Sequence, residues 1–133
     1  MSFSNKTIDL DFVLMDLSEH CIVASVKEGV LIELDHIAIL HEIFAEYYPE
    51  NNFGYIDNRI NQYAINLSPE LYKTKYPKMV CIAVVCYTES AFKSANFEKT
   101  FYDWPFEVFR TLEEAQLWVA TLIDEEEEKK AGL

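Results

Sequence analysis

Met79-Val80-Cys81-Ile82-Ala83-Val84-Val85-Cys86-Tyr87 is a near-continuous apolar run, rich in β-branched side chains. A run of that length with polar residues on either side reads as a strand buried on both faces. Upstream, Phe53–Asp57 is also apolar and β-prone. Downstream, Phe106–Phe109 is short and aromatic, and Thr111 then opens a helix. Helix-type segments lie between these runs. Strand and helix in alternation predict parallel pairing in a sheet covered by helices, so the fold class is α/β.

The flanking segments extend this pattern. Thr88 or Ser90 caps a helix predicted to run to about Phe101, and Asp103-Trp104-Pro105 is a turn. Thr111 and Glu114 have capping-box spacing, and Leu112, Ala115, Trp118, Val119 and Leu122 form the stripe of the last helix. Ser68-Pro69-Glu70 reads as a helix start, with Ser68 as the capping hydroxyl and proline at the first helical position. Asp35 is the expected N-cap of a helix to about Tyr48, with Leu34, Ile37, Leu40, His41, Phe44 and Tyr48 at helical spacing and Pro49 beyond. At the start, Thr7–Met15 and Glu19–Val26 read as two strands joined by a hairpin turn at Asp16-Leu17-Ser18. In the first, Ile8, Leu10, Phe12 and Leu14 alternate with other residues. The expected order is two strands, a helix, a strand, a loop, a helix, a strand, a helix, a strand and a helix.

The 133 residues suffice for one domain with its own core. Half of them are hydrophobic, which sets the chain apart from disordered sequences. Its net charge is −12, and without residues 124–133 it is still −9, from eighteen acidic and nine basic side chains. So acidic a chain is a poor match for nucleic acid or an anionic membrane surface. No apolar run reaches the length of a membrane span. Met1–Asp11 is polar and mixed rather than signal-like, so a cytoplasmic location is expected. Cys21, Cys81 and Cys86 sit in apolar runs with no metal-ligand spacing, and read as buried reduced thiols. His36 and His41 are five residues apart, a spacing that does not bring two helical ligands onto one face. No Gly-rich phosphate loop or nucleophile elbow is present. No cofactor, catalytic residue or metal ligand is therefore assigned.

Phe53-Gly54-Tyr55-Ile56-Asp57-Asn58-Arg59, then Pro105-Phe106-Glu107-Val108-Phe109 followed by Leu112-Glu113-Glu114-Ala115-Gln116-Leu117-Trp118, resemble the SpoIIAA-like (STAS-like) small proteins. The resemblance covers nearly the whole chain. It implies a mostly parallel sheet with an opening hairpin and helices mainly on one face. The five successive acids Asp124–Glu128 mark residues 124–133 as an acidic tail that extends the last helix into solvent and frays, which leaves one domain over residues 1–123. In the anti-sigma-factor antagonists of that family a strand ends in aspartate and a phosphorylatable serine follows two residues later. Here Asp57 matches the aspartate but Arg59 stands in the serine's place, so the phosphorylation switch does not carry over.

Arg59 is the most specific candidate, because open α/β sheets place ligands at the C-terminal ends of their strands. A guanidinium there suits a carboxylate or phosphate, or else forms a salt bridge to Asp57 or a helix carboxylate. The candidate binding residues are Asp57, Asn58, Arg59, Tyr63 and Ser68. Lys73, Lys75 and Lys78, around Tyr72 and Tyr76, are the one basic cluster. The aromatics from Phe97 to Phe106 read chiefly as core. The expected function is a non-enzymatic interaction or regulatory module whose partner is another protein. The alternative is a small-molecule domain holding an anion or a lipid-like group near Arg59. The oligomeric state is left open, a dimer included.

Overall fold

The computed structural model describes residues 3–73 and 75–132. Among the described residues, eight strands and four helices follow in the order β1 (Lys6–Asp9), β2 (Val13–Ser18), β3 (Cys21–Val26), β4 (Leu31–Ile32), α1 (Leu34–Tyr47), β5 (Phe53–Arg59), β6 (Ala64–Ile65), α2 (Pro69–Lys73), β7 (Met79–Cys86), α3 (Glu89–Lys99), β8 (Phe106–Phe109) and α4 (Leu112–Lys130). Six strands form one sheet in the order β1-β2-β3-β5-β7-β8. β1, β2 and β3 pair antiparallel, and β3, β5, β7 and β8 pair parallel. The chain is therefore α/β with a mostly parallel sheet. Among the described residues, no helix is long and apolar enough to cross a membrane.

The apolar run at Met79–Cys86 is an interior strand, hydrogen-bonded to β5 on one side and β8 on the other. Its side chains alternate between two layers. Cys81, Ala83 and Val85 meet Ala115, Val119 and Ile123 of α4. Val84 and Cys86 point the other way, towards Ala95 of α3. That second face continues across Ile22, Ala24, Val13 and Met15 to Leu40 and Phe44 of α1. α1 and α3 thus share one face and α4 covers the other. The caps follow the sequence: the Thr88 hydroxyl accepts from the Ala91 N–H at 3.1 Å, and the Thr111 hydroxyl from the Glu114 N–H at 3.2 Å.

The opening differs from the expectation. The chain reverses within Leu10–Val13, closed by a Leu10 N–H to Val13 carbonyl bond of 2.9 Å, and again at Glu19-His20. Asp16-Leu17-Ser18 is therefore strand, with Asp16 paired to Val23 and accepting from the Thr7 hydroxyl at 2.7 Å. The early reversal breaks the alternation that begins at Ile8. Val13, Met15 and Leu17 face the core, and Leu14 is exposed. α1 begins after Glu33, whose N–H donates to His36 Nδ1 at 3.0 Å, so Asp35 lies in the first turn rather than at the cap. Ile60–Leu67 contains β6, which pairs parallel with β4 in a small second sheet. Gly29, at φ +77°, makes the turn before it and donates to the Gln62 carbonyl at 2.7 Å. On α4, Ala115, Val119 and Ile123 are buried, whereas Trp118 and Leu122 are half-buried at the margin. The helix continues through the acidic run to Lys130.

The α4 face is packed tightly at Gly54. A methyl group there would lie 2.4 Å from Val119 Cγ1 and 3.1 Å from Cys81 Sγ. Val119 is β-branched and helical, so it has almost no alternative rotamer with which to yield. Gly54→Ala is expected to lower stability by about 1–3 kcal/mol. Val119→Ala in the same chain should recover part of that loss, so that the double variant is less destabilised than the sum of the singles. Chemical denaturation of the four proteins checks this, and simple additivity would mean that the helix lies farther from the strand.

Candidate functional site

β5 ends with Asp57 and Arg59, two residues apart and so on the same face of the sheet. That face looks towards α3, whose Ala91, Ala95 and Glu98 follow one another at helical spacing on its inner side. The Arg59 guanidinium joins the two elements. Nη1 and Nη2 donate to the two oxygens of Glu98 at 2.8 and 2.7 Å, and Nε donates to Asp57 Oδ2 at 3.0 Å. The Tyr63 hydroxyl donates to the same Asp57 oxygen, and the Tyr63 ring lies 5.4 Å from the guanidinium carbon. Asp57 and Glu98 are each only 8 % exposed.

Arg59 is therefore not a free anion receptor. Its fork is held by two carboxylates, and the group as a whole carries one negative charge. An anionic ligand would enter against that charge, and the guanidinium already holds β5 to α3. Burial alone would lower the Arg59 pKa, but Asp57 and the Glu98 bonds outweigh it, and the net shift is upward. Burial, reinforced by Asp57, pushes the Tyr63 phenol well above its usual value.

The other candidates separate. Asn58 faces the opposite side of the sheet and accepts from the Tyr87 hydroxyl at 2.6 Å. Ser68 does precede α2, but its hydroxyl does not cap it. The Leu71 N–H goes to the Ser68 carbonyl at 2.9 Å, and the buried Ser68 Oγ has no partner among the described residues. In the basic cluster, Tyr76 turns inward against His41 and Phe44, and Tyr72 packs on Phe101.

Next to the ionic group lies a cavity of about 110 Å³ between α1, α2, α3 and the sheet. α1 contributes Ile37, Leu40, His41 and Phe44, and α2 contributes Leu71. The sheet supplies Ile82, Val84 and Phe106 among others, and the turn after α3 adds Tyr102 and Trp104. Asp57, Arg59, Tyr63 and Glu98 form the charged part of the wall. Burial lowers the His41 pKa, which favours a neutral imidazole at pH 7. Burial pushes the Cys21 and Cys81 thiols up to about 12, so both stay protonated and unreactive in the α4 face.

Glu98 is absent from the sequence-based site, and Tyr102 and Trp104 stand there among aromatics read chiefly as core, some of which could line an apolar groove. One signal for Glu98 existed: Ala91, Ala95, Glu98 and Tyr102 recur at helical spacing, and a carboxylate on that small-residue stripe calls for a buried partner. Comparison with protein-family models finds no match, and comparisons with curated proteins and with solved structures find none either.

The buried phenols give the fold a measurable pH dependence. Burial, aided by neighbouring Cys21, Asp57 or Glu98, raises the pKa of Tyr48, Tyr55 and Tyr102 as well as Tyr63. Between the ordinary tyrosine value near 10 and the raised one, the folded chain holds more protons than the unfolded chain. Stability from these groups is thus complete below pH ~10 and falls as pH rises beyond it. Ultraviolet titration is expected to show these four tyrosines ionising only as the protein unfolds. Reversible ionisation of all eight tyrosines near pH 10 in the native state would contradict their burial.

Proposed function

We propose that this chain is a non-enzymatic, cytoplasmic, STAS-like binding module whose cavity takes a small, largely apolar molecule. The observation that carries the reading is the convergence of side chains from three helices onto one side of the parallel sheet around a single space. An apolar pocket with a few placed polar groups is the usual form of a small-molecule site. The STAS-like assignment rests on the opening antiparallel strands, the parallel remainder and the closing strand and helix. The polar wall supports binding over catalysis, because its charged groups are committed to one another: Arg59 to Asp57 and Glu98, and Tyr63 to Asp57.

A protein partner fits the same reading as the receiver of the signal. The segments that follow β3 and β5 expose Leu31, Leu34 and Ile60, apolar side chains that a partner would cover. On this view an occupied cavity alters how α1 and the β5–β6 loop present themselves.

Xenon tests the cavity without regard to head-group chemistry, because it seeks the apolar part of a space of this order of size. Under xenon pressure, NMR shifts are expected to concentrate on Leu40, Phe44, Leu71 and Val84. Leu71→Trp, at a half-buried position on α2, should take up part of the space and diminish those shifts while circular dichroism stays unchanged. Shifts scattered over the surface, or unaltered in Leu71→Trp, would count against a binding cavity.

A further inference from the structure

We infer that the ligand of this cavity carries a cationic head, an ammonium group of the alkylamine class, on a compact apolar body. The inference rests on the cavity reading above and adds the chemistry of its polar wall. Two observations support it. The first is charge. Asp57 and Glu98 contribute two formal negative charges and Arg59 one positive charge, and the side chains are 9 % exposed for Arg59 and 11 % for each carboxylate. The Tyr63 phenol donates a hydrogen bond and adds no charge. The wall keeps one uncompensated negative charge, which a buried site bears poorly unless something of opposite sign joins it.

The second observation is an orphaned acceptor. Asp57 Oδ2 takes both the Arg59 Nε–H and the Tyr63 O–H, whereas Oδ1 is buried and accepts from no group among the described residues. A carboxylate oxygen left bare inside a protein asks for a donor. An ammonium supplies both the donor and the charge. A neutral alcohol supplies only the donor. A carboxylate or phosphate supplies neither and meets repulsion. Around the charged wall, Leu40, Phe44, Val84 and Phe106 offer only hydrocarbon, and His41 is favoured in its uncharged form. These surfaces fit an apolar body, and about 110 Å³ fits one near the size of a five-membered ring.

Four probes of one shape separate the contributions: cyclopentylamine, cyclopentanol, cyclopentanecarboxylate and cyclopentane. Binding to the wild-type chain is followed by NMR titration at neutral pH, where the amine is protonated. Cyclopentylamine is expected to bind at least tenfold more tightly than the carboxylate and more tightly than the alcohol. Its largest shifts should fall on Asp57, Tyr63 and Glu98. Asp57→Asn, which keeps the shape and removes the charge, should bring amine and alcohol to within about twofold of each other. Should that variant unfold, the wild-type series alone decides. Equal affinities across the series, or a preference for alcohol or carboxylate, would overturn the cationic head while cyclopentane and xenon binding left the cavity reading standing. Failure of all four probes and of xenon would overturn both.

Discussion

One guanidinium ties together the face of the sheet that carries α1 and α3. Arg59 stands at the end of a sheet strand and Glu98 near the end of a helix, thirty-nine residues later in the chain, and two parallel hydrogen bonds join them. A bidentate pair fixes orientation as well as distance. It sets where α3 rests on the sheet, and thereby where Tyr102, Trp104 and the wall of the cavity lie. Removing either partner would leave a charge buried without its counterpart, a cost of about 3–5 kcal/mol in comparable cases. The same arrangement is a poor source of net stability, because a well-packed apolar pair of equal volume is often as stable. Its value here lies in geometry, and in the one negative charge that Asp57 adds to the wall.

The two faces of the sheet divide the work. Under α4, Gly54 lets Val119 approach the strand, Cys81 and Ala83 are completely buried, and the thiols are held protonated. That face is a scaffold with little room for change. On the other face, α1 and α3 stand over the parallel strands with a space between them that α2 closes. α2 has five residues, none of them buried. The aromatic group of Phe44, Tyr48, Phe53 and Tyr76 anchors the α1 side of that space, with Tyr48 and Phe53 stacked at 4.4 Å between ring centres. The sheet thus carries a dense layer on one side and a walled cavity on the other.

Much of the fold was legible because its signals are local. The apolar run at Met79, the caps at Thr88 and Thr111 and the stop at Pro49 each declare themselves within a few residues. The opening strands misled because alternation reports a face only while the strand continues. A reversal at Leu10–Val13, held by one backbone bond, moved the core from Leu14 to Val13, Met15 and Leu17. The site was half legible. Asp57, Arg59 and Tyr63 stand close in the sequence and came together, whereas alternation sent Asn58 to the other face. Glu98 was hidden among twenty-three acidic residues, since nothing local says which carboxylate will meet a given arginine across the fold. Ser68 had the residue type and spacing of a cap, but its hydroxyl was not the group that met the helix.

The measurement that tests the central arrangement most directly is a double-mutant cycle between Arg59 and Glu98. Arg59→Met, Glu98→Leu and the double variant are compared with the wild type by chemical denaturation. The bidentate clamp is expected to appear as a coupling of about 2–3 kcal/mol, with the double variant more stable than at least one of the singles. Additivity within about 0.5 kcal/mol would show that strand and helix are not joined through these side chains, and would remove the clamp on which the site is built.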